Sequence, residues 1–193
     1  MDNIERRDRE MAYISDDAVF QEQIACRRIL QKLNFMDRGD FDGIRAVVKE
    51  LLGKSEDAFI NPPFYCDYGS HIKVGKNFFA NYKCCIIDVA KVTFGDYCQM
   101  APNVAIYTAG HPIHPDSRNS AYEYGKAVTI GDNVWIGGNT VICPASPSAA
   151  TPSSARAVWS PATSPNGPWP PETPAECSGK SPKRTGASCS KMK

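Results

Sequence analysis

Two stretches, Phe94-Gly-Asp-Tyr-Cys-Gln-Met100-Ala-Pro-Asn-Val-Ala-Ile106 and Ile130-Gly-Asp-Asn-Val-Trp-Ile136-Gly-Gly-Asn-Thr-Val-Ile142, each return a large apolar side chain at every sixth position. That period fits neither a helix, which repeats every 3.6 residues, nor an ordinary strand, which alternates every two. It is the six-residue pattern of a parallel β-helix, in which each unit is a short strand and a turn, and three units close one coil. Between the two stretches the pattern is broken by Tyr107-Thr-Ala-Gly-His111-Pro-Ile-His114-Pro. This excursion, expected over residues 107–127, carries His111 on a loop that projects from a rigid scaffold.

Upstream, residues 1–58 read as helical. Asp16 or Asp17 can cap a segment whose apolar positions Phe20, Ile24, Ile29, Leu30 and Leu33 form one stripe, ended by Asn34 and Gly39. A second stripe, Ile44, Val47, Val48, Leu51 and Leu52, stops at Gly53. Two such helices cannot bury their faces alone, so they are expected to cap the first coils. From Asn61-Pro-Pro onward the period switches to short strands at Ile72–Val74, Asn77–Asn81 and Cys85–Asp88. Gly69, Gly75, Gly95, Gly131 and Asn133 are the expected residues of positive φ at the turns. The domains expected are therefore a helical cap (1–58), a repeat domain (59–144) and a tail (145–193).

The net charge of +1 gives no sign of nucleic-acid or membrane-surface binding. No apolar run reaches bilayer length, and Met1-Asp-Asn-Ile-Glu-Arg-Arg-Asp-Arg-Glu lacks the apolar core of a signal peptide, so a cytoplasmic location is expected. The eight cysteines contain no Cys-x-x-Cys pair, which argues against zinc and for small apolar fillers inside narrow coils. No metal is expected.

The runs Pro63-Phe-Tyr-Cys-Asp67-Tyr-Gly69, Asn77-Phe-Phe-Ala-Asn81, Ile87-Asp88, Ala101-Pro-Asn-Val, His111-Pro, Arg118-Asn-Ser and Val128-Thr-Ile-Gly-Asp-Asn-Val-Trp-Ile-Gly-Gly138 together resemble the maltose and galactoside O-acetyltransferases of the hexapeptide acyltransferases. The resemblance covers roughly residues 10–144. It implies a mainly β fold, a left-handed β-helix with an N-terminal helical cap, and a homotrimer with active sites between subunits. It also implies acetyl-CoA as cosubstrate and a small sugar such as maltose or glucose as acceptor. His111 matches the family's catalytic position, and a neutral imidazole suits removal of a hydroxyl proton near pH 7. Asp67 and Asn81 match acceptor-pocket positions. Asp17 is the candidate acid of the N-terminal segment, and Glu123 on the excursion is placed to orient or contact the acceptor. Trp135 and Gly138 match the coil along which the pantetheine arm of CoA runs. Where the family often has a second carboxylate after Asp88, this chain has Val89.

After Pro144 the period vanishes: ten of the fifteen prolines lie from that residue on, and the composition is that of a disordered tail. The family pattern would continue there with Gly-Val-Thr-Ile-Gly and further coils. Reading each codon one base earlier makes Ala145-Ser-Pro-Ser-Ala149 compatible with that motif, and Ser153–Pro165 compatible with Val-Ile-Gly-Ala-Gly-Ser-Val-Val-Thr-Arg-Asp-Ile-Pro. Glu172–Cys177 becomes compatible with Gly-Asn-Pro-Cys-Arg-Val in the same frame. The expectation is an out-of-frame C-terminal segment and impaired transfer by the chain as written. A non-catalytic trimeric β-helix with a Pro-rich interaction tail is the alternative.

Overall fold

The computed structural model describes residues 1–144 and the two-residue strand Arg156–Ala157. The expected disordered tail lies otherwise outside the described residues. Strands β2 (Phe59–Ile60), β5 (Phe79–Ala80), β8 (Gln99–Met100) and β13 (Trp135–Ile136) stack in parallel as one face of a prism. A second face holds β3 (Tyr65–Cys66), β6 (Cys85–Ile87), β9 (Ala105–Tyr107) and β14 (Val141–Cys143), the last flanked antiparallel by β15 (Arg156–Ala157). The third contains β4 (Ile72–Lys73), β7 (Val92–Phe94) and β12 (Val128–Ile130). From β2 to β9 and from β12 to β14 consecutive strands lie on different faces, so the chain winds as a coil whose rungs hydrogen-bond to the rungs above and below.

The six-residue rows run down the interior, where Met100, Ile106, Ile136 and Ile142 are each no more than 2% exposed. The coil, however, is longer than three six-residue units. Phe59 pairs with Phe79 and Phe79 with Gln99, an advance of 20 residues. The two extra residues sit on the third face, where Ile72 and Val74, Val92 and Phe94, and Val128 and Ile130 all point inward. From Val92 to its partner Val128 the advance is 36, so the excursion adds 16 residues to a plain coil.

Positive φ is concentrated at two of the three corners, in the columns Asn77, Tyr97, Asn133 and Lys83, Asn103, Asn139. Asn133 and Gly69 hold the left-handed conformation expected of them, whereas Gly75, Gly95 and Gly131 do not. At Gly75 and Gly95 glycine is needed because the coils approach closely: a Cβ on Gly75 would lie 2.6 Å from the Gly95 carbonyl carbon, and one on Gly95 would lie 2.7 Å from the Asp132 nitrogen. The adjacent carboxylates tie the rungs together. Asp96 accepts from the Lys76 amide and Asp132 from the Asp96 amide, each at 2.8 Å.

Helix α2 (Asp17–Asn34) is capped by Asp16, which accepts from Val19 N–H at 3.1 Å, and α3 (Phe41–Leu51) by Asp40. Leu52, not Gly53, is the C-terminal cap of α3; Gly53 is instead pressed against the Ser70 carbonyl. Cys26, Leu30 and Leu33 of α2 and Ile44, Val47, Val48 and Leu51 of α3 share one apolar core with the coils. Each fully buried aliphatic side chain there contributes roughly 1.5–3 kcal/mol.

An element that periodicity does not reveal completes the fold. A short helix α1 (Asn3–Asp8) leads into β1 (Tyr13–Ile14), which pairs antiparallel with β11 (Tyr122–Gly125); β11 pairs in turn with β10 (Ala109–Gly110). The N-terminal segment thus supplies an edge strand to a sheet built from the excursion.

Candidate functional site

The neck of the excursion is closed by Thr108, whose hydroxyl donates to the Ile87 carbonyl (2.7 Å) and accepts from the Ala90 amide (2.9 Å). Above it, β10 ends at Gly110 and delivers an exposed His111. Gly110 is required by packing, since a Cβ there would lie 2.7 Å from the Tyr124 ring. Beyond His111 the chain turns into α4 (Pro115–Asn119), and Arg118 donates back to the Ile113 carbonyl at 3.0 Å, closing the loop. His114 is exposed beside Asp116.

At the base of the same corner lies a group of carboxylates. Asp88 is fully buried, and one of its oxygens accepts the amides of Asp67 (2.8 Å) and Tyr68 (2.9 Å); its other oxygen is buried with no hydrogen-bond partner. Burial drives the Asp88 carboxyl above its ordinary range, against the two amide bonds that lower it. Asp67 is half-buried, and its carboxyl is pushed up to about 6, first by burial, then by the charges of Asp88 and Glu123, with Arg27 opposing. Glu123 on β11 accepts from the Ser15 hydroxyl. The Tyr13 hydroxyl is buried with no hydrogen-bond partner, and burial raises it, with the charges of Tyr68 and Glu123 adding to the rise. Asp17, two residues beyond Ser15, opens α2 and is exposed. Val89 packs in a small apolar cluster with Tyr13, Val19 and Tyr68.

Asn81 occupies a different corner, after β5, where its side-chain oxygen accepts from the Tyr82 amide at 2.8 Å. Gly138 lies at that second corner two coils on, with a would-be Cβ 3.2 Å from the Pro102 carbonyl oxygen. Trp135 starts β13 on the adjoining face and is 52% exposed. One chain therefore gathers His111, Asp67 and Glu123, with Asp17 near in sequence, at one corner, and Asn81, Gly138 and Trp135 around another.

The sequence pattern does not mark Ser15, Arg7, Tyr68 or His71. Arg7 is 1% exposed, bridges Asp8 (2.8 Å) and Glu22 (2.6 Å), and sits 4.5 Å over the Tyr68 ring; His71 stacks on that ring and contacts the Asp88 carbonyl at 2.7 Å. Apart from the Arg7–Asp8 and Tyr68–His71 pairs, these contacts join residues at least 15 positions apart in the chain, so no local pattern marks them. A pocket of about 160 Å³ lined by Arg7, Asp8, Glu10, His71, Val89, Ala90 and Lys91 is smaller than the roughly 300 Å³ at which ligand pockets begin. Among the described residues no three His, Cys, Asp or Glu side chains are grouped to hold a metal, and no helix is long and apolar enough to cross a membrane.

A coil of short parallel strands, bearing a histidine on an insertion with its own antiparallel sheet and acids at its base, defines a β-helix protein with a histidine loop. No protein-family profile matches the chain. It is similar to a maltose O-acetyltransferase from Clostridium difficile 630, with 39% identity, a TM-score of 0.73, and coverage of 74% of this chain and 78% of that one. A galactoside acetyltransferase solved in complex with coenzyme A is 32% identical with a TM-score of 0.71, covering 74% of this chain and 72% of that one. With a relative from Saccharomyces cerevisiae, identity is 53% over 116 residues, which make up 60% of this chain and 59% of that protein, so the chain spans less than two thirds of its length. The chain belongs to the hexapeptide-repeat acetyltransferase family.

Proposed function

We propose that the chain is an acetyl-CoA-dependent O-acetyltransferase that acts on a hydroxyl of a small sugar such as maltose or glucose, with His111 as general base. The observation that carries this reading is the presentation of an exposed His111 from a braced loop, one residue past the Gly110–Tyr124 pair and so level with Glu123, whose charge acts on half-buried Asp67. In the proposed reaction the imidazole takes the acceptor hydroxyl proton as the oxygen attacks the thioester carbonyl. The tetrahedral intermediate then expels the CoA thiolate, which takes the proton back from the imidazolium. Asp67, Asn81, Glu123 and Asp17 hold sugar hydroxyls in this scheme, while Trp135 and Gly138 flank the pantetheine arm. A likeness to a structure holding coenzyme A supports acetyl-CoA as the donor.

The division of these residues between two corners supports a homotrimer in which the His111 corner of one subunit faces the Asn81 corner of the next; that the coils are left-handed is what the family resemblance implies. The setting we infer is cytoplasmic, where Cys26, Cys66, Cys84 and Cys98 stay as reduced, buried fillers. Transfer by the 193-residue form is expected to be weak, because residues 145–193 carry none of the six-residue rows that would extend the CoA groove. The loss of that period also favours a second reading, a non-catalytic trimer.

Thiol release from acetyl-CoA on maltose, glucose and a galactoside tests the proposal. Acceptor-dependent release that falls at least about 100-fold in His111→Ala is the expected result. Release unaffected by that substitution overturns His111 as base, and no release from any acceptor favours the non-catalytic reading.

A further inference from the structure

The N-terminal segment touches the excursion at both ends of β11. Glu10 accepts from Lys126 Nζ at 3.3 Å and from the Ala127 amide at 3.1 Å, just past the strand. Tyr13 and Ile14 pair in register with Glu123 and Tyr122, and Ser15 donates to the Glu123 carboxylate. On its far side β11 pairs with Ala109 and Gly110, and the next residue is His111. Without β1, that insertion would be a two-strand hairpin, a unit that is marginal by itself in water. The segment is in turn fastened to the body. Arg7 is buried between Glu22 of α2 and the face of Tyr68, whose amide is held by Asp88. A continuous line of contacts thus runs from the rigid coil through Arg7 and β1 to the backbone that carries His111.

We propose that residues 1–15 form a strap that sets the position of His111, with Glu10 and Ser15 as its positioning residues. This rests on the reading of His111 as the general base. Neither residue contacts the reacting atoms in that scheme; each acts through β11. Loss of the strap leaves His111 present but mispositioned, and a displacement on the order of 1 Å costs about 100-fold in rate. Because the acyl donor is bound through other residues, the loss falls on kcat and leaves KM for acetyl-CoA unchanged.

The test compares the full chain with Glu10→Ala, Ser15→Ala and Ser15→Thr, which keeps the hydroxyl. Amide hydrogen exchange is followed over residues 107–127, together with acceptor-dependent thiol release and the parent's dependence on His111. The expected result is exchange at least 10-fold faster in that segment for both alanine variants, kcat lower by roughly 10- to 100-fold at constant KM for acetyl-CoA, and recovery of both in Ser15→Thr. Unchanged exchange overturns the strap. Faster exchange with unchanged kcat overturns its role in positioning, leaving it a purely structural brace. A parent chain whose release does not depend on His111 overturns the underlying assignment of the base, an outcome separate from either of these.

Discussion

Asp67 and Asp88 are neighbouring carboxyls, both raised by burial, that differ in what they hold. Asp67 has its carboxyl raised from 3.8 to about 6, so between those values the folded chain holds a proton that the unfolded chain has released. Stability therefore falls as pH rises through that window and stays lower above it. Asp67→Asn is expected to stabilise the protein by about 1–3 kcal/mol at pH 7.5 and by nothing below pH 4. Thermal denaturation across that range checks it, and a variant less stable than the parent at pH 7.5 would show that Asp67 is held by contacts that favour its charge. Asp88 is different because it terminates two backbone amides. Asp88→Leu strands both donors in the interior and is expected to cost about 2–5 kcal/mol in urea denaturation, with Asp88→Asn milder because an amide oxygen still accepts. Equal costs for the two would place the effect in the loss of the carboxylate itself, since Asn keeps the volume and an acceptor oxygen. The motif around Asp67 is visible in the sequence, but its raised carboxyl is not, since that depends first on burial and then on the charges of Asp88 and Glu123, which arrive from other segments, with Arg27 opposing.

The strands and corners show where a one-dimensional pattern carries three-dimensional information and where it stops. The interior rows were readable because each inward position recurs after a fixed number of residues. The third face hid its two additional residues, because Val92 and Phe94 are both apolar and a row can be drawn through either. The β1–β11 pair was invisible for another reason: two residues make no period, and their partner lies more than a hundred positions away. Glycine at the corners illustrates the same limit, for the sequence suggests freedom of φ where the coil needs room. Gly95→Ala would place a Cβ 2.7 Å from the Asp132 nitrogen and 2.8 Å from the Gly131 carbonyl carbon. It is expected to cost about 2–4 kcal/mol, whereas Gly131→Ala, with nothing described within 4 Å, is expected to change stability by less than about 0.5 kcal/mol. Denaturant midpoints of the two variants decide this. A costly Gly131→Ala would mean that another stretch of chain is stacked on that corner, as an additional coil would be.

At the scale of the whole molecule, the arrangement of the candidate site bears on the proposal that the chain works as a trimer. His111 stands at the corner between the β6 and β7 faces, and Asn81 at the corner between the β5 and β6 faces, so the full width of one face separates them in a single chain. That face carries outward-facing Tyr65, Tyr107 and Val141, each 38% exposed or more, a surface suited to burial against another subunit. If a site joins the two corners across an interface, a subunit lacking His111 and a subunit lacking Asn81 are defective on different sides of it. Co-assembly of His111→Ala with Asn81→Ala then regenerates some sites with both residues intact, while the same subunits assembled separately remain inactive. In a random trimer of equal amounts, each interface has one chance in four of receiving the intact pair, so recovery of about a quarter of the parent rate is expected. Mixed trimers that show no activity above the separate variants would place both residues in one chain's site and remove the reason for drawing it between subunits.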